Sequence, residues 1–283
     1  MTAINQPQAW LGILRLRYGR QHQQTVPLES YAQAPWRLQR PLYADASGHC
    51  QSVLIHTAGG MVGGDALQTT VDLQPGSCAL ITTAAASKVY RSQGATATQT
   101  HHLTLASDTC LEWFPQETIL FRGAHYAQST RVDLAPGAIW VAWDLTRFGR
   151  SARGEVFDAG SWRSCTEVWQ EGRPLWLDRQ VLTGDPDRFQ SPHGLAGCSV
   201  VGSFVVLGVP GTRDWVAMAR NHWQDFTAVT EADAGVTQLQ AGLLCRYRGH
   251  SSQQARRWFS HLWQALRPHY LEQPACLPRV WSL

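Results

Sequence analysis

The sequence predicts a mainly β protein whose stacked sheets form a β-helix-like, solenoid-like arrangement, with about two α-helices in the C-terminal part. Three observations lead to this fold class. Between residues 50 and 182, short runs rich in Thr, Val, Leu and Trp are broken by Gly, Pro, Asp and Ser, which is the grammar of strands and turns. Within that stretch a degenerate pattern returns about every 30 residues, as stacked β-coils require. Helical periodicity replaces strand alternation only in the last quarter of the chain.

The repeat is built from three segments beginning at Val71, Leu103 and Val132. Each reads apolar, polar, apolar and then turn, and a second strand follows the turn. The eighth positions are Cys78, Cys110 and Ile139. Stacked in register, these three form an interior ladder with a spacing of about 4.8 Å. An irregular β-sandwich stays open as an alternative to the solenoid, because the repeat is short.

The helices announce themselves differently. Ser251 and Gln254 form the ends of a capping box, and Ala255, Trp258, Phe259, Leu262, Trp263 and Leu266 follow at helical spacing until Pro268. Pro268 is expected to end that helix. Trp215, Met218, Ala219, His222, Trp223 and Phe226 mark a second helix from about Asp214. Residues 1–283 read as one domain, with a β-stack over about 10–210 and 229–250 and helices over about 214–226 and 252–267. Between the helices, Val236 to Tyr247 reads as one or two strands.

Composition excludes several function classes. Apolar residues make up 44% of the chain and charged residues 16%, too dry and too weakly charged for disorder. The formal charge of +3 is spread without basic blocks, which argues against nucleic acid. No apolar run is long enough for a membrane helix, and no basic leader precedes Trp10. Seven cysteines without a C-x-x-C pair suit buried thiols in a reducing, cytoplasmic compartment. Thirteen Trp exceed what one core hides, so part of the surplus is expected on a partner-binding surface.

Local catalytic signatures are missing. The glycines around Met61 lack a G-K-[ST] ending and a β-α-β context, so they read as a tight strand crossing and not as a phosphate loop. No H-x-x-x-H or C-x-x-C cluster encodes a tight metal site, and adjacent His101 and His102 point to opposite faces of a strand. No G-x-S-x-G elbow is present. Lys88 is the only lysine among 24 basic residues, which reads either as a chemical requirement, for a narrow polar channel or a single carboxylate partner, or as one surviving surface lysine.

Taken together, Gly59-Gly60-Met61-Val62-Gly63-Gly64-Asp65, Thr82-Thr83-Ala84-Ala85-Ala86-Ser87-Lys88, and Leu111-Glu112-Trp113-Phe114-Pro115-Gln116-Glu117 resemble the signature blocks of the UreD/UreH family of urease accessory proteins. Gly149 to Glu155 and the ending Pro278-Arg279-Val280-Trp281 resemble it as well. Ala84, Ala85 and Ala86 depart from the turn residues usual in that family, which puts the local turn in question. The resemblance implies a non-catalytic, cytoplasmic scaffold that binds UreF directly, UreG through the complex, and the urease apoprotein. It implies no tightly bound cofactor, with nickel in transit.

A conduit must hold the ion weakly, through oxygen ligands and water. On that reasoning Asp65, Lys88, Glu112, Glu117, Asp144 and Glu155 are the transit candidates. The bland roles beside these are a turn cap for Asp65 and a carboxylate partner for Lys88. Arg256, Arg257, Trp258, Trp263 and Arg267 are the partner-interface candidates, since Trp and Arg anchor interfaces. The bland reading of the helix stripe is packing on the β-stack. Two rival functions remain at this point: a β-solenoid module that binds carbohydrate through stacked aromatics, and an enzyme with Lys88 as nucleophile or base.

Overall fold

The computed structural model describes residues 9–44, 46–150, 153–226 and 231–282. In chain order its strands are β1 (Leu11–Gln21), β2 (Gln24–Ala32), β3 (Trp36–Leu38), β4 (Cys50–His56), β5 (Ala66–Leu73), β6 (Cys78–Thr83), β7 (Ser87–Val89), β8 (Ala97–Leu105) and β9 (Cys110–Phe114). They continue as β10 (Thr118–Leu120), β11 (Ala124–Leu134), β12 (Ile139–Phe148), β13 (Gly160–Gln170), β14 (Arg173–Thr183), β15 (Val200–Leu207), β16 (Asp233–Leu239) and β17 (Gly242–Gly249). The helices are α1 (Pro186–Gln190), α2 (Arg213–Gln224) and α3 (Ser252–Leu271).

These strands form a β-solenoid of about four turns. A seven-stranded sheet stacks β1, β5, β8, β11 and β13 in parallel, and a ten-stranded sheet stacks β4, β6, β9 and β12 in parallel. Antiparallel strands finish both ends: β2 and β3 at one, β14, β15, β17 and β16 at the other. Short β7 and β10 fill a corner beside β12.

The repeat read from the sequence is the coil of this solenoid. Val71, Leu103 and Val132 stand side by side, as do Leu73, Leu105 and Leu134, and all six are buried between the sheets. Cys78, Cys110 and Ile139 also stand in one register. Their ladder, however, is not inside the coil. Strand alternation turns Ala79 and Leu111 inwards, so the cysteines face the opposite side, under the helices.

There are therefore two cores, one between the sheets and one between the ten-stranded sheet and α2 and α3. This corrects the expectation of surplus Trp at the surface. Of the thirteen, only Trp10, at 53% exposure, is an exposed residue, because two cores hide what one could not.

The helix signals hold with one boundary moved. The Ser251 hydroxyl accepts from the Gln254 amide at 3.1 Å, and the Thr212 hydroxyl caps α2 in the same way. Pro268 does not end α3. A proline near a C-terminus removes one amide. Beyond it Tyr270 is tied to Glu112, so the last turn persists to Leu271, and Glu272 closes it in a left-handed conformation with φ 56°. Val236 to Tyr247 is two strands, β16 and β17. Within the stretch expected as β-stack, Pro186–Gln190 instead forms the one-turn α1, capped by Asp185.

Candidate functional site

Strand alternation should give the solenoid a dry interior, and at two rungs it does not. Inward positions of the seven-stranded sheet place Gln99, Gln128, Ser164 and Gln180 in one rung. The adjacent rung runs Thr69, His101, Thr130, Thr166 and Asp178. The next one is apolar again, from Val71 through Leu103, Val132 and Val168 to Trp176. On the facing sheet, Trp113, Ala142 and Val205 share a rung, and Asp144, Ser203 and Arg246 share its neighbour. Between these walls lies a cavity of about 50 Å³, room for a few waters.

The polar wall is internally connected. The Gln128 amide donates to Asp144 Oδ2 at 3.0 Å, linking the two sheets. The Tyr126 hydroxyl lies 2.9 Å from Gln99 Oε1 and 3.0 Å from Gln128 Oε1. The Gln99 amide donates to His101 Nε2 at 3.2 Å, which leaves the imidazole proton on Nδ1. That nitrogen has no hydrogen-bond partner, and neither do Thr69 Oγ1, Trp36 Nε1 and Trp140 Nε1. These are four of the five such buried side-chain atoms among the described residues, and all four face the solenoid interior. Buried polar groups normally find partners, so their concentration here points to an interior that meets polar species.

Titration behaviour follows from the same burial. Desolvation lowers His101 to about 4, so its ring is neutral at physiological pH. Burial, and then the charge of Asp178, push Asp144 up to about 6, against hydrogen bonds from Gln128 and Ser164 that pull it down. Amide and hydroxyl oxygens and a carboxylate poised near neutrality hold a cation loosely, whereas His101, with its proton on Nδ1, can only donate there. No group of three His, Cys, Asp or Glu able to grip a metal occurs among the described residues.

A second depression, on the outside, shares Trp36, Thr83 and Ser87 with the cavity. Its rim carries His56, Gly60 and Lys88, so the first two motif blocks meet there. Gly60 adopts φ 151°, and a side chain on it would strike the Lys88 carbonyl at 2.6 Å, so only glycine fits this crossing.

The six transit candidates separate in space. Asp144 lines the cavity, and Lys88 stands exposed on the outer rim. Contrary to the expected carboxylate partner, Lys88 forms no ion pair among the described residues. Asp65 caps its turn, accepting from the amides of Trp10 at 2.9 Å and Val62 at 2.8 Å. Glu155 binds the Arg150 side chain and accepts from the Arg122 amide, in a segment whose Ser151 and Ala152 lie outside the described residues. Glu117 pairs with Arg256 at 3.2 Å and accepts from Ser252, beside Gln116 on the cavity wall. Glu112 is 3% exposed and faces the helices, where one oxygen accepts from Trp263, Arg267 and Tyr270 at 2.7, 2.9 and 2.7 Å.

The interface candidates share that fate. Trp258, Trp263 and Arg267 are buried beneath α3, and Arg256 is engaged with Gln116 and Glu117. Only Arg257 is exposed, stacked over Phe226 at 5.7 Å. The exposed aromatic residues among those described are Trp10, Tyr31 and Tyr43.

The interior residues that sequence reasoning missed are Gln99, His101, Gln128, Thr130, Asp178 and Arg246. A signal for the first four existed. In Ala97–Leu105 and again in Ala124–Leu134, polar residues occupy the phase that Leu103, Leu105, Val132 and Leu134 assign to the core.

Comparison with known proteins gives a consistent result. Residues 11–282 match the family described as UreD urease accessory protein. Proteins named urease accessory protein UreD are similar over nearly their whole length. The one from Acaryochloris marina is 54% identical over 275 residues, 97% of this chain and 96% of that protein. The one from Nostoc punctiforme is 51% identical over 276 residues, 98% of this chain and 97% of that protein. The one from Trichormus variabilis is 50% identical over 283 residues, covering both chains fully.

Proposed function

The chain belongs to the UreD urease accessory protein family, and on that premise we propose that it is a maturation factor that helps place nickel in urease, its polar interior serving as the ion's passage. In this reading the protein is a non-catalytic scaffold. It binds UreF directly and UreG through the complex, engages the urease apoprotein, and leaves GTP hydrolysis to UreG. The absence of a phosphate loop from the sequence agrees with that division of labour.

The observation that carries the proposal is the pair of polar rungs between the sheets. Each buried hydroxyl or amide without a full set of partners costs about 1–3 kcal/mol relative to an apolar side chain. A scaffold whose only task was to hold partners together would be more stable with Val and Leu at Gln128, Thr130 and Thr166. Nickel moving from one site to another needs the opposite: oxygen donors that exchange, with no cluster to trap it. Asp144 and Asp178 are the acidic groups in that path, and Lys88 the cation at its outer rim.

The test is urease activation by nickel in cells lacking this gene but expressing urease and the other accessory proteins. Activity is expected to be lost and restored by the intact gene. Normal urease activity without the gene would sink the proposal.

A further inference from the structure

Gln128 ties the two sheets at Asp144, deep in the cavity, and one further polar link joins them at the β14 end. The Arg246 guanidinium, from β17, holds both oxygens of Asp178, from β14, at 2.7 and 3.0 Å, and donates to Ser203 at 2.7 Å. Register places Asp144, Ser203 and Arg246 in one rung, so the guanidinium caps the row that contains the cavity's carboxylate. The pair is solvated on one side, with 37% of the Arg246 side chain and 14% of the Asp178 side chain exposed, while Asp178 also lines the cavity.

The next residue in that rung is Gly235, on the edge strand β16. A Cβ there would meet no heavy atom within 4 Å beyond its chain neighbours. Cross-strand partners project to the same face, so the space a side chain would fill at Gly235 lies directly beside Arg246. The guanidinium has somewhere to go. It also sits where a cation belongs, between Asp178 and the row leading to Asp144.

We propose that the Arg246–Asp178 pair is a displaceable gate at the β14 end of the cavity: a divalent cation takes the place of the guanidinium at Asp178, and Arg246 swings into the open space beside Gly235. The idea rests on the reading of the interior as a nickel passage and adds how one end is controlled. A resident cation keeps the carboxylates neutralised when no metal is present, and a doubly charged ion competes successfully with a singly charged one. Water and monovalent ions do not.

The test uses the full chain and nickel(II) alone, following quenching of the cavity tryptophans by stopped-flow fluorescence. Arg246→Ala removes the gate and is expected to speed the saturable quenching phase about tenfold, the rate equivalent of a lost part-buried ion pair. Gly235→Leu fills the space for the swing while leaving the pair intact, and is expected to slow that phase by a similar factor. Ala142→Leu narrows the cavity itself and is expected to abolish the phase. If Ala142→Leu abolishes it but both gate variants match the wild type, the gate is wrong and the passage stands. If the phase is missing from the wild type, or survives Ala142→Leu unchanged, the passage reading falls and the gate with it. Should Arg246→Ala lose its cooperative urea transition, Gly235→Leu decides alone: slower supports the gate, unchanged overturns it.

Discussion

Asp144 stores the clearest physical statement at the level of a single residue. Its carboxyl is raised to about 6 in the fold, above the 3.8 of a free side chain, so folding favours the protonated form. The stability this group allows is complete below pH 4 and is lost as pH rises through about 6. The full loss, reached above that window, is about 3 kcal/mol as an upper figure. Asp144→Asn is therefore expected to raise the urea midpoint at pH 7.5 and to leave it unchanged at pH 3.5, measured by fluorescence-detected unfolding. A gain that is equal at both pH values would contradict the assignment. Lys88 predicts near-indifference to substitution. Exposed and without an ion pair among the described residues, it should tolerate Lys88→Ala with less than about 0.5 kcal/mol of change in unfolding free energy. Its singularity as the only lysine was visible in the sequence. That no described carboxylate pairs with it was not, because that depends on which chain segments the corner at β7 brings near it.

Among the elements, α3 shows how far sequence reasoning reached and where it stopped. Its cap at Ser251 and its apolar stripe were legible, since both are local patterns. That the stripe meets a second core was not, and neither was its fastening across more than 150 residues to Glu112. The same gap explains the cysteine ladder: register follows from the repeat, whereas the face depends on what covers the sheet. Glu112 is 3% exposed and Arg267 4%, so removing one partner strands the other in a dry interface. Glu112→Ala should cost about 3–5 kcal/mol in urea unfolding. Adding Arg267→Met should recover much of that loss, because the uncompensated charge goes with it. Additive losses in the double variant would argue against the pair as the fastening. Ser251→Ala, which removes only a cap, should cost about 1 kcal/mol.

The molecule as a whole is a solenoid finished at each end by antiparallel strands, with helices over one sheet and a polar seam inside. Its fold class was legible because a repeat of about 30 residues translates directly into stacked coils. The seam was legible only in part: Gln99, His101, Gln128 and Thr130 break the core phase of their strands, but Asp178 and Arg246 join the site from opposite sheets through pairing that no local pattern announces. Carboxylates singled out for their motif setting mostly hold turns and helices in place, and Asp144 alone of those five lines the cavity. The central claim is that nickel travels through this interior on its way to urease. It is tested most directly by the nickel content of urease purified from cells whose only copy of this protein carries Ala142→Leu, with folding and partner co-purification verified. The account predicts urease assembled but nearly free of nickel, whereas urease with its full nickel complement would contradict it.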